Sequence, residues 1–438
     1  MKVALVNPPW SFDGSVYFGC REPHLPLEFG YTRELLERRG HVVRLLDAQL
    51  SGVDLAALAS ELWAFRPDVT VLTTAPSYLS WRCAPPELRV PMQTARVLRP
   101  YTERLFVVGP HASTTPGAVL AKIDADAVVM GECEAVLPEL VEADPAEYGQ
   151  IDSIAYRERG ARAGETDAAI VVQGSPASVD LQRLPPLRWE RHEIAAHRHH
   201  HQRFDCAPHG PAAELEASRG CPHACTFCAK ENFRNRYRTR PLQVLLAELD
   251  GLIAQGVGYV YFIDEIFLPN RALLEALSER DIRFGVQLRI DNWSEELLGM
   301  LGRAGCVSIE AGIESLTPQG RSLVNKPSRL STEQLTERLI CAKRAVPFVQ
   351  ANLLGTSDDP QRVAHWRAEL SLHGVWSNAP LPPFPYPGSP QYRLEWGQPD
   401  DLAWERAQDH YLKECVEFND VQERTALPVA DSAGRVYT

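Results

Sequence analysis

Short apolar runs alternate with longer amphipathic stretches along the first third of the chain. The amphipathic stretches at residues 28–39, 54–65 and 91–99 predict helices, and the apolar runs between them predict strands. The five predicted strands are residues 2–6, 42–46, 69–73, 105–108 and 127–130. Strands separated by helices of this length favour a doubly wound parallel sheet. Ligands of such sheets bind at the carboxyl ends of the strands.

After residue 145 the predicted structure is first irregular and then alternates between strands and helices again. Residues 146–212 hold a small predicted hairpin and a connection rich in proline, arginine and histidine, which is typical of a linker. Strands are then predicted at 214–218, 259–263, 284–289, 307–310 and 348–352, with helices that include 241–255 and 272–278. This alternation predicts a partial β/α barrel over residues 213–395. We expect a Rossmann-like α/β domain at 1–145 before it and a short helical tail at 396–438 after it.

Composition adds the class of protein to this picture. The 438 residues are 45% hydrophobic and 23% charged, which is typical of a globular protein. No apolar run approaches the roughly 18 residues of a membrane span, and the apolar start is too short for a signal peptide. We therefore expect a cytoplasmic protein without a membrane partner. The net charge of −12 argues against a nucleic-acid partner; it suits a cationic or neutral partner, or simply aids solubility.

Three of the ten cysteines, Cys221, Cys225 and Cys228, lie within eight residues. One tight group among scattered cysteines predicts metal ligation rather than a disulfide scaffold. Three thiolates on one loop would hold an iron–sulfur cubane and leave one iron open to a reactant. A zinc site that also used His223 is the alternative. A histidine run at positions 197 and 199–201 would be a solvated loop or a second metal site.

The segment Cys-x3-Cys-x2-Cys after a predicted strand resembles the signature of the radical S-adenosylmethionine (SAM) superfamily. Further segments resemble that superfamily in the expected order: 261–265, 287–291, 305–315, 325–326 and 387–392. The resemblance implies a partial (β/α)6 barrel, a 4Fe–4S cluster and SAM as cofactors, and reductive cleavage of SAM to a 5′-deoxyadenosyl radical. It places Ser315 in the segment beside the adenosine. Flavodoxin or ferredoxin would supply the electron.

The same resemblance suggests how the remaining SAM contacts are made. Phe227 would contact the adenine, and Asp264 or Glu265 would accept a charge-assisted hydrogen bond from the SAM ammonium group. Arg289 would pair with the SAM carboxylate or form a salt bridge within the barrel. Glu310 would bind the ribose.

The first domain resembles the cobalamin-binding domain that precedes many radical SAM methyltransferases. The matching segments are 7–9, 25–31, 39–43, 109–113 and 130–134. Candidate pocket residues are Thr74, Ser77, Trp81, Arg82, Gly109, His111, Gly131 and Glu132. A scaffold that has lost its ligand is the alternative.

Two departures from that family argue that cobalamin is not required. Residues 47–50 read Asp-Ala-Gln-Leu where an Asp-x-His-x-x-Gly segment would offer a histidine to cobalt. Residues 77–91 form a bulky, proline-stiffened segment at the mouth of the expected corrin cleft.

Length, domain order and this bulky segment resemble the aminoglycoside diol-dehydratases. That resemblance implies dehydration of a diol on an aminosugar, and a separate reductase would act on the keto product. Carboxylates suit a polycationic substrate; the candidates are Glu22, Asp264 and Glu314, with Asp409 and Glu414 in the tail. A cobalamin-dependent C-methyltransferase is the alternative enzyme, and a non-enzymatic iron–sulfur protein is the alternative of another class.

Overall fold

The computed structural model describes residues 1–11, 23–76, 85–158, 169–198, 210–230, 234–414, 429–430 and 436–437. The chain divides into two units. The first comprises residues 1–196, 229–235 and 386–414, and the second is built on residues 197–228 and 236–385. Among the described residues, no helix has the length and apolar character needed to cross a bilayer.

The first unit is built on one seven-stranded sheet in the order β2-β1-β3-β4-β5-β6-β7. The strands are β1 Lys2–Asn7, β2 Val42–Asp47, β3 Val69–Thr73, β4 Arg104–Val108, β5 Ala127–Val129, β6 Ile154–Arg157 and β7 Ile170–Gln173. The first five strands pair in parallel, whereas β6 and β7 run antiparallel. All five strands predicted for this region are confirmed, with ends that differ by at most one residue.

Helices cover both faces of this sheet because alternate residues of each strand face opposite sides. Val3 and Leu5 of β1 pack in a core with Phe29, while Ala4 and Val6 pack in a second core with Leu62. The helices up to residue 196 are α1 Leu27–Arg38, α2 Ala48–Ser51, α3 Leu55–Phe65, α4 Arg89–Leu98, α5 Pro110–Thr114, α6 Pro116–Lys122, α7 Leu137–Leu140 and α8 Arg191–Ala196.

Two segments join the first unit although the sequence analysis placed them outside its domain at 1–145. The hairpin of β6 and β7 extends the sheet, because β6 pairs along β5 and buries Ile154. The C-terminal helices Pro390–Trp396 and Ala403–Glu414 also belong to this unit. The second of them is fixed by Trp404, whose Nε1 donates to Thr115 Oγ1 at 3.0 Å.

The second unit contains six parallel strands in the order β15-β14-β13-β12-β11-β8. These strands are β8 Ala212–Leu215, β11 Tyr259–Phe262, β12 Arg283–Leu288, β13 Cys306–Glu314, β14 Phe348–Leu353 and β15 Trp376–Ser377. Two further pairs are antiparallel: β9 Ser218–Arg219 with β10 Arg238–Thr239, and β16 Val429–Ala430 with β17 Val436–Tyr437.

Helices connect the parallel strands, as the sequence predicts for a β/α repeat. They are α9 Leu242–Ala254, α10 Arg271–Ser278, α11 Glu295–Arg303, α12 Pro318–Leu323, α13 Thr332–Ala345 and α14 Pro360–Leu372. The two helices near the C-terminus of the chain are then α15 and α16. One predicted strand, at 214–218, divides into β8 and β9 at Glu216 and Ala217.

The six-stranded sheet has one apolar and one polar face. Its apolar face includes Val260, Phe262, Val286, Ile309 and Val349, which are all fully buried. The residues between them point to the other face. There the strands carry Glu214, Tyr259, Tyr261, Gln287, Ser308, Glu310 and Gln350. A polar face inside a parallel sheet is the feature that positions the candidate site.

Candidate active site

The three clustered cysteines lie on one loop that follows β9. Cys221, Cys225, Cys228 and the intervening Phe227 are all partly exposed. Two hydrogen bonds tie this cysteine loop to the segment after α12: Thr226 N donates to Val324 O at 3.0 Å, and Asn325 Nδ2 donates to Ala224 O at 2.6 Å. The loop is therefore held from both sides of its central cysteine.

This donor set fits an iron–sulfur cluster. Burial raises the pKa of the Cys225 thiol, while the neighbouring Lys326 ammonium opposes that effect. A metal centre must then displace the proton, which makes its binding pH-dependent. Cys221, Cys225 and Cys228 would hold three irons of a 4Fe–4S cluster and leave the fourth open. The cluster supplies one-electron reduction chemistry there.

Asp264 and Glu265 follow β11 and support the start of the cysteine loop. Asp264 accepts hydrogen bonds from Ala217 N, at 2.9 Å, and from the Ser218 hydroxyl. Glu265 Oε2 accepts from Gly220 N at 2.7 Å. Both carboxylates thus position the backbone that leads into Cys221. Their predicted contact with the SAM ammonium group stays a prediction.

Arg289 follows β12 and forms a salt bridge within the second unit. Its Nε and a terminal nitrogen donate to the two carboxylate oxygens of Asp291 at 3.1 and 2.7 Å, and it also donates to Pro327 O at 2.7 Å. The salt bridge considered for Arg289 is therefore present, and its pairing with the SAM carboxylate stays a prediction. Through Pro327, Arg289 also holds the segment that follows Lys326.

Glu314 and Lys326 form a buried ion pair at the carboxyl end of β13. Lys326 Nζ lies 2.6 Å from Glu314 Oε1, and the two residues are 8% and 6% exposed. A Cβ at Gly312 would lie 2.3 Å from Glu314 Oε1 and 2.4 Å from Lys326 Nζ, so the lack of a side chain at this position leaves room for the pair to lie across the strand. Both charges act on Cys225, which places the pair beside the cysteine loop.

Ser315 lies next to this pair but binds elsewhere. Its hydroxyl donates to Asp358 Oδ1 at 2.8 Å, and Asp358 also accepts from Leu316 N and from the Thr317 hydroxyl. Ser315 is fully buried in this network. It therefore holds the turn after β13, and its predicted place beside the adenosine stays a prediction.

Glu310 lies deeper in the second unit, on the polar face of β13. It is 2% exposed and accepts a hydrogen bond from the Tyr261 hydroxyl at 3.1 Å. Gln287 and Gln350 are its neighbours on β12 and β14. Tyr261, Gln287 and Gln350 were not predicted as separate site residues. The sequence does carry a signal for them, because polar residues alternate with apolar ones along these strands.

Several described residues of the predicted pocket in the first unit are in contact with each other. His111 is fully buried; its Nδ1 lies 3.1 Å from Thr74 Oγ1 and its Nε2 lies 2.9 Å from Pro85 O. A carbonyl only accepts, so Nε2 carries the proton and Nδ1 accepts from Thr74. Burial lowers the pKa of His111 to about 3, despite the hydrogen bond to Pro85. Trp404 packs against the imidazole ring in a tilted arrangement, with 4.2 Å between centroids.

The glycines of this group serve the packing of the domain itself. A Cβ at Gly109 would lie 2.5 Å from Thr74 Oγ1, and one at Gly131 would lie 2.3 Å from the backbone of Ala177. Glu132 accepts from Val179 N at 2.8 Å. These residues are engaged in contacts within the first unit, and both ring nitrogens of His111 are used by Thr74 and Pro85. Ser77, Trp81, Arg82 and Glu22 lie outside the described residues.

Asp264 gives the apoprotein a testable dependence on pH. Burial raises the pKa of this carboxyl to about 7 from 3.8. The folded chain therefore binds a proton between these values that the unfolded chain has lost, so stability falls as pH rises from about 4 to about 7. The change amounts to a few kcal/mol at most, since one pKa unit corresponds to about 1.4 kcal/mol.

We expect Asp264→Asn to flatten this slope while it keeps the bonds to Ala217 and Ser218. Melting temperatures of the two apoproteins at intervals of half a pH unit measure it. Asp250→Asn is the control, since Asp250 is a surface carboxylate whose pKa is lowered by its hydrogen bond to Arg280. Parallel curves for wild type and Asp264→Asn would contradict the prediction.

Residues 215–363 match the family model of the Radical SAM superfamily. This region contains the cysteine loop, β11 to β14 and both partners of the Glu314–Lys326 pair. The second unit therefore carries a radical SAM domain, as the cysteine spacing predicted.

Curated relatives extend the likeness to the first unit. An uncharacterised methyltransferase of Pyrococcus horikoshii is 25% identical over 74% of this chain and 68% of its own length. An anaerobic magnesium-protoporphyrin IX monomethyl ester cyclase of Cereibacter sphaeroides is 24% identical over 87% of the chain and 63% of its own. The hopanoid C-3 methylase of Methylococcus capsulatus is 26% identical over 90% of the chain and 72% of its own.

A solved structure shows the same fold. The radical SAM methyltransferase TsrM from Kitasatospora setae, with cobalamin and a 4Fe–4S cluster bound, superposes with a TM-score of 0.67. It is 19% identical, and the match covers 89% of this chain and 76% of TsrM. The likeness establishes a shared mixed α/β fold across both units of the chain.

Proposed function

We propose that this protein is a cobalamin-dependent radical SAM methyltransferase that acts on a small organic molecule. The observation that carries the radical SAM part is the three-cysteine loop beside the buried Glu314–Lys326 pair. The methyl-transfer part is supported by two relatives named as a methyltransferase and a methylase, and by the fold shared with a cobalamin-containing methyltransferase.

The residues of the second unit have three different roles in this proposal: they bind the cluster, bind SAM or position the cysteine loop. Cys221, Cys225 and Cys228 hold the cluster, and Glu314 with Lys326 presents opposite charges beside it to the amino and carboxylate groups of SAM. Asp264 and Glu265 keep the approach to Cys221 in place. A low-potential donor such as flavodoxin or ferredoxin supplies the electron.

Cobalamin is proposed from the relatives rather than from individual side chains. The described residues at the carboxyl edge of the first sheet are engaged with one another, and His111 offers no nitrogen to cobalt. Cobalamin bound at this edge would lack a ligand from position 111. The expectation that cobalamin is not required rested mainly on residues 77–91. Of these, 77–84 lie outside the described residues, and Arg89 already begins α4.

The aminosugar dehydratase was the preferred reaction of the sequence analysis. None of the relatives named above is a dehydratase, whereas two carry methyl-transfer names. The third relative is named as a cyclase, which is a different reaction from methyl transfer. Methyl transfer is therefore the reaction that the comparisons support better.

The products formed from SAM test this proposal. A methyltransferase that also uses a radical consumes one SAM as methyl donor and another as radical source. Cluster-loaded protein with reductant, deuteromethyl-SAM and the small-molecule fraction of its own cells should give S-adenosylhomocysteine and a deuteromethylated product only when cobalamin is present. 5′-Deoxyadenosine without S-adenosylhomocysteine, in cobalamin-loaded protein that consumes SAM, would exclude methyl transfer and leave the radical SAM assignment intact.

A further inference from the structure

Three polar side chains lie side by side across the polar face of the second sheet. Gln287 of β12 is in register with Glu310 of β13, and Glu310 is in register with Gln350 of β14. Residues in register on neighbouring strands point to the same side of the sheet. We call Gln287, Glu310 and Gln350 the polar row.

The polar row carries unmet hydrogen-bonding capacity. Among the residues that the structure describes, Gln287 Oε1 and Gln350 Oε1 have no hydrogen-bond partner, and neither has the hydroxyl of Ser308 below them. Gln350 is 1% exposed, and its amide nitrogen is already used by Asn352 Oδ1 at 2.7 Å. Buried polar atoms are nearly always paired with protein, water or ligand, so these oxygens indicate a position that a donor occupies.

Aromatic side chains shape the position under the polar row. Gly285 pairs with Tyr261 on one side and with Ser308 on the other. A Cβ there would lie 2.3 Å from the Tyr259 hydroxyl and 3.0 Å from the Tyr261 ring, so glycine is what lets the two rings extend over β12. The Tyr261 hydroxyl then donates to Glu310 Oε1 and fixes the direction of that carboxylate.

The polar row is on the same strand as the Glu314–Lys326 pair but deeper in the domain. Glu310 precedes Glu314 by four residues, which corresponds to about 13 Å along an extended strand. The pair lies near the cysteine loop, because Asn325, next to Lys326, donates to Ala224 O of that loop. The polar row and the pair are thus separate positions on β13.

We propose that the polar row is the substrate-recognition site and that it selects substrates with N–H or O–H groups. An ionised carboxylate only accepts hydrogen bonds, and the two glutamine oxygens also accept. The complementary substrate is an alcohol, an amine or an N–H heterocycle that points its donors down at Glu310. This inference rests on the proposed function, since it names the substrate class of that reaction, and it assigns Glu310 to substrate rather than to the ribose of SAM.

Matched pairs of small probes test the proposal by binding alone. Indole is compared with 1-methylindole, phenol with anisole, and cyclohexanol with methoxycyclohexane, each titrated into full-length cluster-loaded protein with SAM and followed by ligand-observed NMR. We expect the donor-bearing probe of each pair to bind at least about tenfold more tightly, because the capped probe leaves the buried acceptors unpaired.

Two variants test whether the polar row causes this preference for donor-bearing probes. Glu310→Gln and Gln350→Leu should each reduce the preference for donors to about twofold or less. If Gln350→Leu does not fold, Glu310→Gln still tests the proposal, because it keeps the size of the side chain. Gln361→Leu, on the exposed surface of α14, should keep the full preference. Equal binding of capped and uncapped probes to the wild type, or a preference that survives both variants, would overturn the proposal. Donor selectivity without any S-adenosylhomocysteine would instead count against methyl transfer only.

Discussion

Replacing any one of Cys221, Cys225 and Cys228 with alanine should abolish both the 4Fe–4S cluster and the cleavage of SAM. Each cysteine supplies one of three protein ligands, and a cubane held by two thiolates exposes a second iron to solvent. The backbone of the loop is hydrogen-bonded to Val324 and Asn325. These bonds oppose a shift of the loop that would bring another side chain to the position of the missing thiolate. Iron content and 5′-deoxyadenosine formation after anaerobic reconstitution measure the effect, and we expect both to fall to background.

Two cysteines of the same unit provide matched controls. Cys306 is buried at the start of β13 and Cys341 is partly exposed on α13. Alanine at either position should leave about four irons per chain, the content of one cubane. Retention of four irons by a variant of the cysteine loop would contradict the assignment. Zinc in place of iron in the wild-type protein would favour the zinc site that the sequence left as an alternative.

The strands could be predicted from sequence because the period of the apolar residues is a local property. In the first unit, residues 3–6 are all apolar and residues 69–73 are valine, leucine and threonine, and these residues are all buried, which is typical of strands covered on both faces. In the second unit, the cysteine spacing marked the metal site. Both signals lie within a few residues of chain.

The membership of segments in a unit could not be predicted in the same way. The tail residue Trp404 packs on His111 and donates to Thr115, almost 300 residues earlier in the chain. Pairing over such separations leaves no local pattern. The hairpin at 154–157 and 170–173 and the strand β5 were both recognised, but their pairing was not predicted, because strand edges are not marked in sequence.

Roles of single side chains were the hardest part to predict. The predicted contact of Asp264 or Glu265 with SAM stays a prediction, but the hydrogen bonds that Asp264 accepts from Ala217 and Ser218 were not predicted. Arg289 was left between two roles, and Asp291, only two residues later, is its partner. Asp291 is close to Arg289 in sequence, whereas Ala217 and Ser218 precede Asp264 by almost 50 residues. In both cases only the folded conformation of the chain decides whether the two groups meet.

The buried pair of Glu314 and Lys326 connects the carboxyl end of β13 to the segment that is bound to the cysteine loop. Glu314 has a φ of 65°, a left-handed conformation that few side chains adopt, and it follows an irregularity in the pairing of β13 with β14. The turn thereby aims its carboxylate at Lys326 in the segment bound to the cysteine loop. Burial removes both charges from water, so each depends on the other for compensation.

Lys326→Met should therefore lower the free energy of unfolding by about 3 kcal/mol, since it leaves the Glu314 carboxylate buried without its cation. The double variant Glu314→Gln/Lys326→Met should recover most of this loss, because no uncompensated charge remains. Urea unfolding of the four proteins in the cycle gives the coupling energy directly. Arg271→Met is the control: its pair with Glu296 is 56% and 70% exposed, and such pairs contribute about 0–1 kcal/mol. If Lys326→Met cost no more than Arg271→Met, or if the double variant were less stable than Lys326→Met, the Glu314–Lys326 pair would not be what holds the turn of β13 against the cysteine loop.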